Sequence, residues 1–173
     1  MDLIRELWDA EFALSELLQE TAEWRGIFID YEKPHIARLW RPWKQYRINL
    51  HLIYPCDNSE TLFHPHGWPS AMKIISGMYK MVVGFGTDLI PPPEDTRISF
   101  LLAAGSYYTM PHPNQWHSVR PLLTKSFSVM LTGPRWNRAL IPVTKKPEPL
   151  LLSSPLGQEM LTFFRSYYSV RNH

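Results

Sequence analysis

Residues 63–77 read Phe63, His64, Pro65, His66, Gly67, Trp68, Pro69, Ser70, Ala71, Met72, Lys73, Ile74, Ile75, Ser76, Gly77, and their reading decides the fold. Pro65 fixes its own φ and steers His64 away from the helical region, so the segment reads as extended. Alternate side chains of an extended chain share a face, so His64 and His66 project together and both imidazoles can reach one ion. Gly67 and Pro69 then turn the chain, and Ala71 to Val83 reads as one long strand interrupted by a bend at Gly77. A polar strand face with two histidines has the same spacing, so the pair alone does not establish a metal site.

The surroundings narrow the choice. Asn58, five residues, His64 and His66, three residues, Ser70, six residues and Gly77 resemble the first cupin motif, with Asn58 standing for the usual Gly and Ser70 for the usual Glu. Asn tolerates positive φ better than other non-Gly residues, whereas loss of the Glu removes an anionic ligand. From Gly105 the order of five residues, Pro111, Pro113, Asn114, Gln115, Trp116 and His117 resembles the second motif. There His117 falls one residue late and Pro113 replaces a common Gly. This resemblance, over residues 58–119, implies a mainly β fold: a cupin-type jelly-roll β-barrel with an N-terminal helix and a short C-terminal helix. It also implies His64, His66 and His117 as metal ligands.

A chain of 173 residues is read as one domain, able to bury about two thirds of its unfolded surface. Within it, 1–26 is a helical extension, 35–135 the barrel and 136–173 a wrapping segment. Sixteen prolines and many aromatic residues favour a loop-rich β fold over a helix bundle. The net charge of +2, with basic residues scattered, gives no footprint for nucleic acid. A lone cysteine, Cys56, excludes an internal disulfide framework. The start lacks a secretory pattern and no apolar run reaches the length of a membrane span, so a cytoplasmic protein without a membrane partner is expected.

Residues 2–24 carry a helical pattern through Leu3, Leu7, Ala10, Leu14 and Leu17, ended by Gly26. Packing on the outside of the barrel is one reading of this stripe, and a homodimer contact the other. Extended runs follow over 35–43 and 45–54; in the second, Arg47, Asn49, His51 and Ile53 share a polar face suited to solvent or to a pocket. The three prolines 91–93 place residues 84–95 in a surface loop. Strands are expected over 97–104 and 125–131, the latter closing the barrel. The segment 134–155 reads as largely irregular, and 160–168 as a final helix burying Leu161, Phe164 and Tyr168.

Three neutral imidazoles suit a divalent first-row metal and leave positions open for substrate. Among cupins, residues 46–135 resemble the cysteine dioxygenase group and related three-histidine thiol and diketone dioxygenases. The resemblance implies Fe(II), with Ni, Cu, Zn or Mn as alternatives, and a small-molecule substrate with dioxygen. Where that group has Ser, His and Tyr on a late strand, this chain has Ser128, Met130 and Thr132, and Ala71 stands where animal members have a crosslinking Cys. The departures imply a substrate larger or less charged than cysteine. Candidate substrate-binding residues are Arg38, Arg47, His51, Trp116 and Ser128, with Arg41 beside them, since a guanidinium can clamp a carboxylate. Arginines stacked on surface aromatics and a hydrogen-bonded wall histidine are the plainer readings. Trp68 and Trp116 could wall the site or fill the core, and His112 reads as loop. A non-redox cupin enzyme and a non-catalytic binding cupin are the competing functions.

Overall fold

A computed structural model describes residues 2–87, 89–137 and 145–169. Helix α1, Leu3–Leu17, begins at Asp2, whose carboxylate accepts from the Arg5 amide, and buries Leu3, Leu7, Ala10 and Leu14 along one face. It ends well before Gly26, contrary to the expected helical extension. Thr21–Glu23 form a single 3₁₀ turn, and Gly26 lies inside strand β1 (Arg25–Ile29). There the Leu150 carbonyl occupies the space where a side chain would begin. The glycine admits a neighbouring backbone rather than stopping a helix.

The strands that follow are β2 (Ile36–Trp43), β3 (Tyr46–Ile53), β4 (His64–Pro65), β5 (Ser70–Ser76) and β6 (Met78–Phe85). Then come β7 (Ile98–Ala103), β8 (Tyr107–Met110), β9 (Gln115–Pro121), β10 (Ser126–Thr132), β11 (Glu148–Pro149) and helix α2 (Pro155–Ser169). They form two antiparallel sheets, of seven strands in the order β11-β1-β2-β3-β10-β5-β8 and of four in the order β4-β9-β6-β7. This mainly β, two-helix arrangement is a cupin-type jelly roll whose sheets stay open at their edges. β10 does not close a barrel; it sits in the middle of the large sheet between β3 and β5.

The expected bend at Gly77 is where the chain changes sheets. With φ at +86°, a conformation that suits glycine, it ends β5 in one sheet and begins β6 in the other. Asn58, in contrast, makes no use of left-handed φ. It opens a 3₁₀ turn, Asn58–Glu60, that Asp57 and Glu60 cap reciprocally. No helix among the described residues is long and apolar enough to cross a membrane.

Antiparallel register sets which residues share a face. Arg38, His51, Ser128 and Ile74 lie side by side across four strands, followed by Trp40, Asn49, Met130 and Met72. These rows face the small sheet. Alternate residues such as Leu39, Leu50, Val129 and Leu131 face the other way and pack under α1 and α2, beside Leu7, Leu14, Met160 and Phe164. A smaller core between the sheets joins Ile53, Met72, Ile74, Tyr79, Met110 and Met130.

Candidate metal centre

Strand β4 is only two residues long, yet it pairs His64 directly opposite His117 of β9. Since paired residues face the same side, the two motifs converge, and His66 follows two positions along. The ring centres lie 4.9 Å apart for His64 and His117, 4.6 Å for His66 and His117, and 5.4 Å for His64 and His66. One ring nitrogen from each falls within 4.8 Å of the others.

For His64 and His66 the remaining nitrogen holds the ring. His64 Nδ1 lies 3.3 Å from the Leu62 carbonyl, and His66 Nδ1 lies 3.2 Å from Ser70 Oγ. A ligating histidine is usually held through its other nitrogen in this way. Ser70 therefore does not join the cluster in place of the missing Glu; it holds the ring of His66, one of the candidate ligands. His66 Nε2 and His117 Nε2 face each other at 2.9 Å, where two lone pairs repel unless a proton or a cation lies between them. Two nitrogens bound at right angles about 2.1 Å from one ion stand about 3.0 Å apart, so the spacing of this one pair is compatible with two ligands of a shared ion. His117 Nδ1 is buried with no hydrogen-bond partner among the described residues.

Burial lowers the pKa of all three imidazoles. His66 is pushed down to about 3 by burial first, then by His64 and Arg38. His64 and His117 are lowered for the same leading reason. Neutral imidazole is the form that ligates. No carboxylate joins the cluster among the described residues, so it suits an imidazole-loving divalent ion of the first transition row.

A cavity of about 270 Å3 opens onto the three histidines, with Ile36, Ile53, Met72, Val119 and Met130 as apolar wall. Besides the three histidines, its polar side chains are those of Glu32, Arg38, His51, Trp68 and Tyr108. Arg38 Nε donates to His51 Nε2 at 2.8 Å, which leaves the terminal guanidinium nitrogens unused by that bond and puts the His51 proton on Nδ1. His51 is 2% exposed, and burial, with Arg38 beside it, holds its pKa well below the ordinary value. Burial also lowers Arg38, to about 10, aided by Arg47. The wall histidine is thus a neutral acceptor that aims an arginine, not an acid or base at rest.

Tyr108 of β8 also lines the cavity, its ring centre 6.2 Å from that of His117. Its hydroxyl lies 3.3 Å from that of Tyr79 and 2.8 Å from Met72 Sδ. Burial raises both phenols, so both are protonated. Glu32 stands at the rim, its pKa raised by burial against the pull of Arg38.

Other expected site residues lie elsewhere. Trp116 neighbours His117 in a strand and so points to the opposite face, where it stacks on Phe63 at 5.9 Å; it does not line the cavity. Trp68 does line it. Ser128 belongs to the inner row beside His51, fully buried, with no partner for its hydroxyl among the described residues. Arg41 faces the helices and bonds the Leu17 carbonyl and Glu20. Arg47 shares the inner face but lines a neighbouring cleft with Arg135. His112 is exposed and accepts the Asn114 amide. Tyr108, Glu32 and Arg135 escaped the sequence reading; for Tyr108 the signal was its place in a short alternating strand just after Gly105.

Fold and cluster together define the class: a cupin-type jelly roll with a three-histidine candidate metal centre between its sheets. No family model matches the chain, and no curated protein matches it. Among solved structures it is similar to Fe(II) HppE, with 8% identity and a TM-score of 0.48, over 61% of this chain and 54% of that one. It is likewise similar to the hydroxypropylphosphonic acid epoxidase from S. wedmorenis, with 8% identity and a TM-score of 0.49, over 62% and 55%. KdgF from Halomonas sp. shows 16% identity and a TM-score of 0.46, over 64% and 89%. The chain spans about half the length of the epoxidase chains it matches. At this level of likeness, the fold assignment rests on strand order and register.

Proposed function

We propose that the chain is an iron-dependent dioxygenase of the cupin type, acting on a small organic anion that chelates the three-histidine centre. The observation that carries this reading is a cluster of three neutral imidazoles with no carboxylate among them. Such a ligand set leaves the full charge of a divalent ion uncompensated, which favours an anionic, bidentate substrate. Bound at His64, His66 and His117, ferrous iron would supply redox chemistry with dioxygen.

The remaining roles belong to the chain's own side chains. Arg38, aimed by His51, presents its terminal N–H groups to a substrate oxyanion. The Tyr108 hydroxyl is neutral, accepts from Tyr79 and donates to Met72 Sδ; by turning from that weak acceptor it can donate instead to a group bound beside His117. Ile36, Ile53, Val119 and Met130 keep water from the reacting end. Met130 fills with a thioether the place where the resembling dioxygenases carry an imidazole, which leaves room for a substrate other than cysteine.

The test is oxygen uptake by protein loaded anaerobically with Fe(II), across small thiols, diketones and 2-hydroxy acids. Consumption of dioxygen that depends on both iron and one substrate class is the expected result. Turnover of a substrate without dioxygen consumption, or with zinc in place of iron, would overturn the redox reading.

A further inference from the structure

Beside the histidine cavity lies a second one of about 340 Å3, lined by Arg38, Arg47, Asn49, Trp68, Thr132 and Arg135. Arg38 and Trp68 line both, so the two cavities adjoin. Three guanidinium groups therefore meet in one cleft. Among the described residues none of the three forms an ion pair, whereas Arg41 and Arg97 each have a glutamate. Among the described residues the one carboxylate beside them is that of Glu32, which lines the histidine cavity together with Arg38.

Among the described residues the two outer arginines rest on aromatic faces, and neither guanidinium has an acceptor. Arg47 lies over Trp40 at 4.3 Å and Arg135 over Trp68 at 5.7 Å. Stacking occupies the flat face of a guanidinium and leaves its N–H edge for a ligand. The floor offers little competition, since the Asn49 amide already donates to Met130, Arg47 and Thr132. Arg47 is exposed overall but partly desolvated by the cleft wall, which lowers its pKa, as does the nearness of Arg135; burial and Arg47 lower that of Arg38. Like charges gathered without a counter-charge are stabilised by a bound anion.

We propose that this arginine cleft binds an oxyanion on the tail of the substrate. The substrate is then a small organic molecule with a chelating head at the histidines, which rests on the function proposed above, and a carboxylate or phosphoryl tail held by Arg47 and Arg135. The pocket thus calls for a larger substrate than cysteine, not a less charged one.

Calorimetry separates the two halves of the idea. On metal-free protein, glutarate and inorganic phosphate are compared with butyrate; on Fe(II)-loaded protein without oxygen, 2-hydroxyglutarate and 2-hydroxy-4-phosphonobutyrate are compared with lactate. Wild type is expected to bind the tailed or dianionic probe at least about tenfold more tightly, and R47Q/R135Q to lose that preference, as charge-assisted bonds of this kind imply. The better of the two tails identifies the oxyanion. Both arginines are exposed, so the variant is expected to fold, with a melting temperature near wild type as the check. Equal binding of tailed and untailed probes by wild type, or a preference that survives in R47Q/R135Q, overturns the cleft proposal whatever the metal does. Protein that takes up no iron yet shows arginine-dependent binding of glutarate or phosphate upholds the cleft and sinks the histidine reading instead.

Discussion

The large sheet carries a buried polar cluster on each of its faces, and the two differ in how they are partnered. Toward the helices, Lys73 Nζ meets Glu11 at 2.7 Å, while the Tyr107 and Tyr168 hydroxyls donate to the same carboxylate at 3.1 and 2.9 Å. Lys73 is 3% exposed and Glu11 9%. Every charge there is answered within the chain. Toward the small sheet, His51 Nδ1, His117 Nδ1, Trp68 Nε1 and Ser128 Oγ are buried without partners among the described residues. Two imidazole nitrogens there face each other at 2.9 Å. A buried polar group left open costs stability, and sites built for a ligand are where chains tolerate it. The closed cluster reads as structure and the open one as function.

Variants can break this contrast, beginning with the largest effect. His66→Ala removes one of three proposed ligands and is expected to abolish retention of iron at one equivalent, read by plasma mass spectrometry, while leaving the fold intact by circular dichroism. Retention unchanged from wild type would return the open cluster to mere structure.

Lys73→Met should do the reverse. It leaves Glu11 buried without its cation, at an expected cost of about 3–5 kcal/mol in urea unfolding, with metal content unchanged. The same variant carries a pH signature. Burial alone would lower Lys73, but the hydrogen bond and charge of Glu11, with Tyr107, hold it above the ordinary 10.5. The stability it lends is complete below that value and fades as pH rises through the raised one. Wild type should therefore lose more stability than Lys73→Met as pH climbs above about 10.5.

Ser70→Ala frees the His66 ring from its hydrogen bond. Metal affinity is expected to fall by about tenfold or somewhat more in a chelator competition, with little change in melting temperature. Ser128→Ala should do least. Its hydroxyl has no partner among the described residues, so unfolding free energy is expected to stay within about 1 kcal/mol of wild type or rise slightly. A large loss would mean that the hydroxyl is bound in solution and that the inner row is less open than it looks.

Much of this was legible along the chain, because strand alternation and motif spacing are local properties. The His64 and His66 pair, the polar face of Arg47, Asn49 and His51, and the buried stripe Leu3, Leu7, Ala10 and Leu14 all follow from period-two and period-3.6 patterns. The same alternation argues against Trp116, since a neighbour of His117 in a strand faces away from it. Gly26 misled because a glycine needed for close backbone approach looks, in sequence, like one that ends a helix. Arg41 and Arg47 could not be sorted as anchors without knowing which face of the sheet the helices cover.

By itself, then, the sequence determined most of the longer strands, the first helix, the later part of the second and the histidines able to ligate, since these follow from backbone preferences, periodicity and motif spacing along the chain. Strands β1, β8, β9 and β11 were not expected from it. Only the tertiary structure decided that His117 pairs opposite His64, that Ser70 holds His66, that His51 aims Arg38, and that Arg47 and Arg135 share a cleft. Those relations are set by strand register and by the stacking of two sheets. Both are fixed by contacts between residues far apart in the chain, which no local pattern encodes.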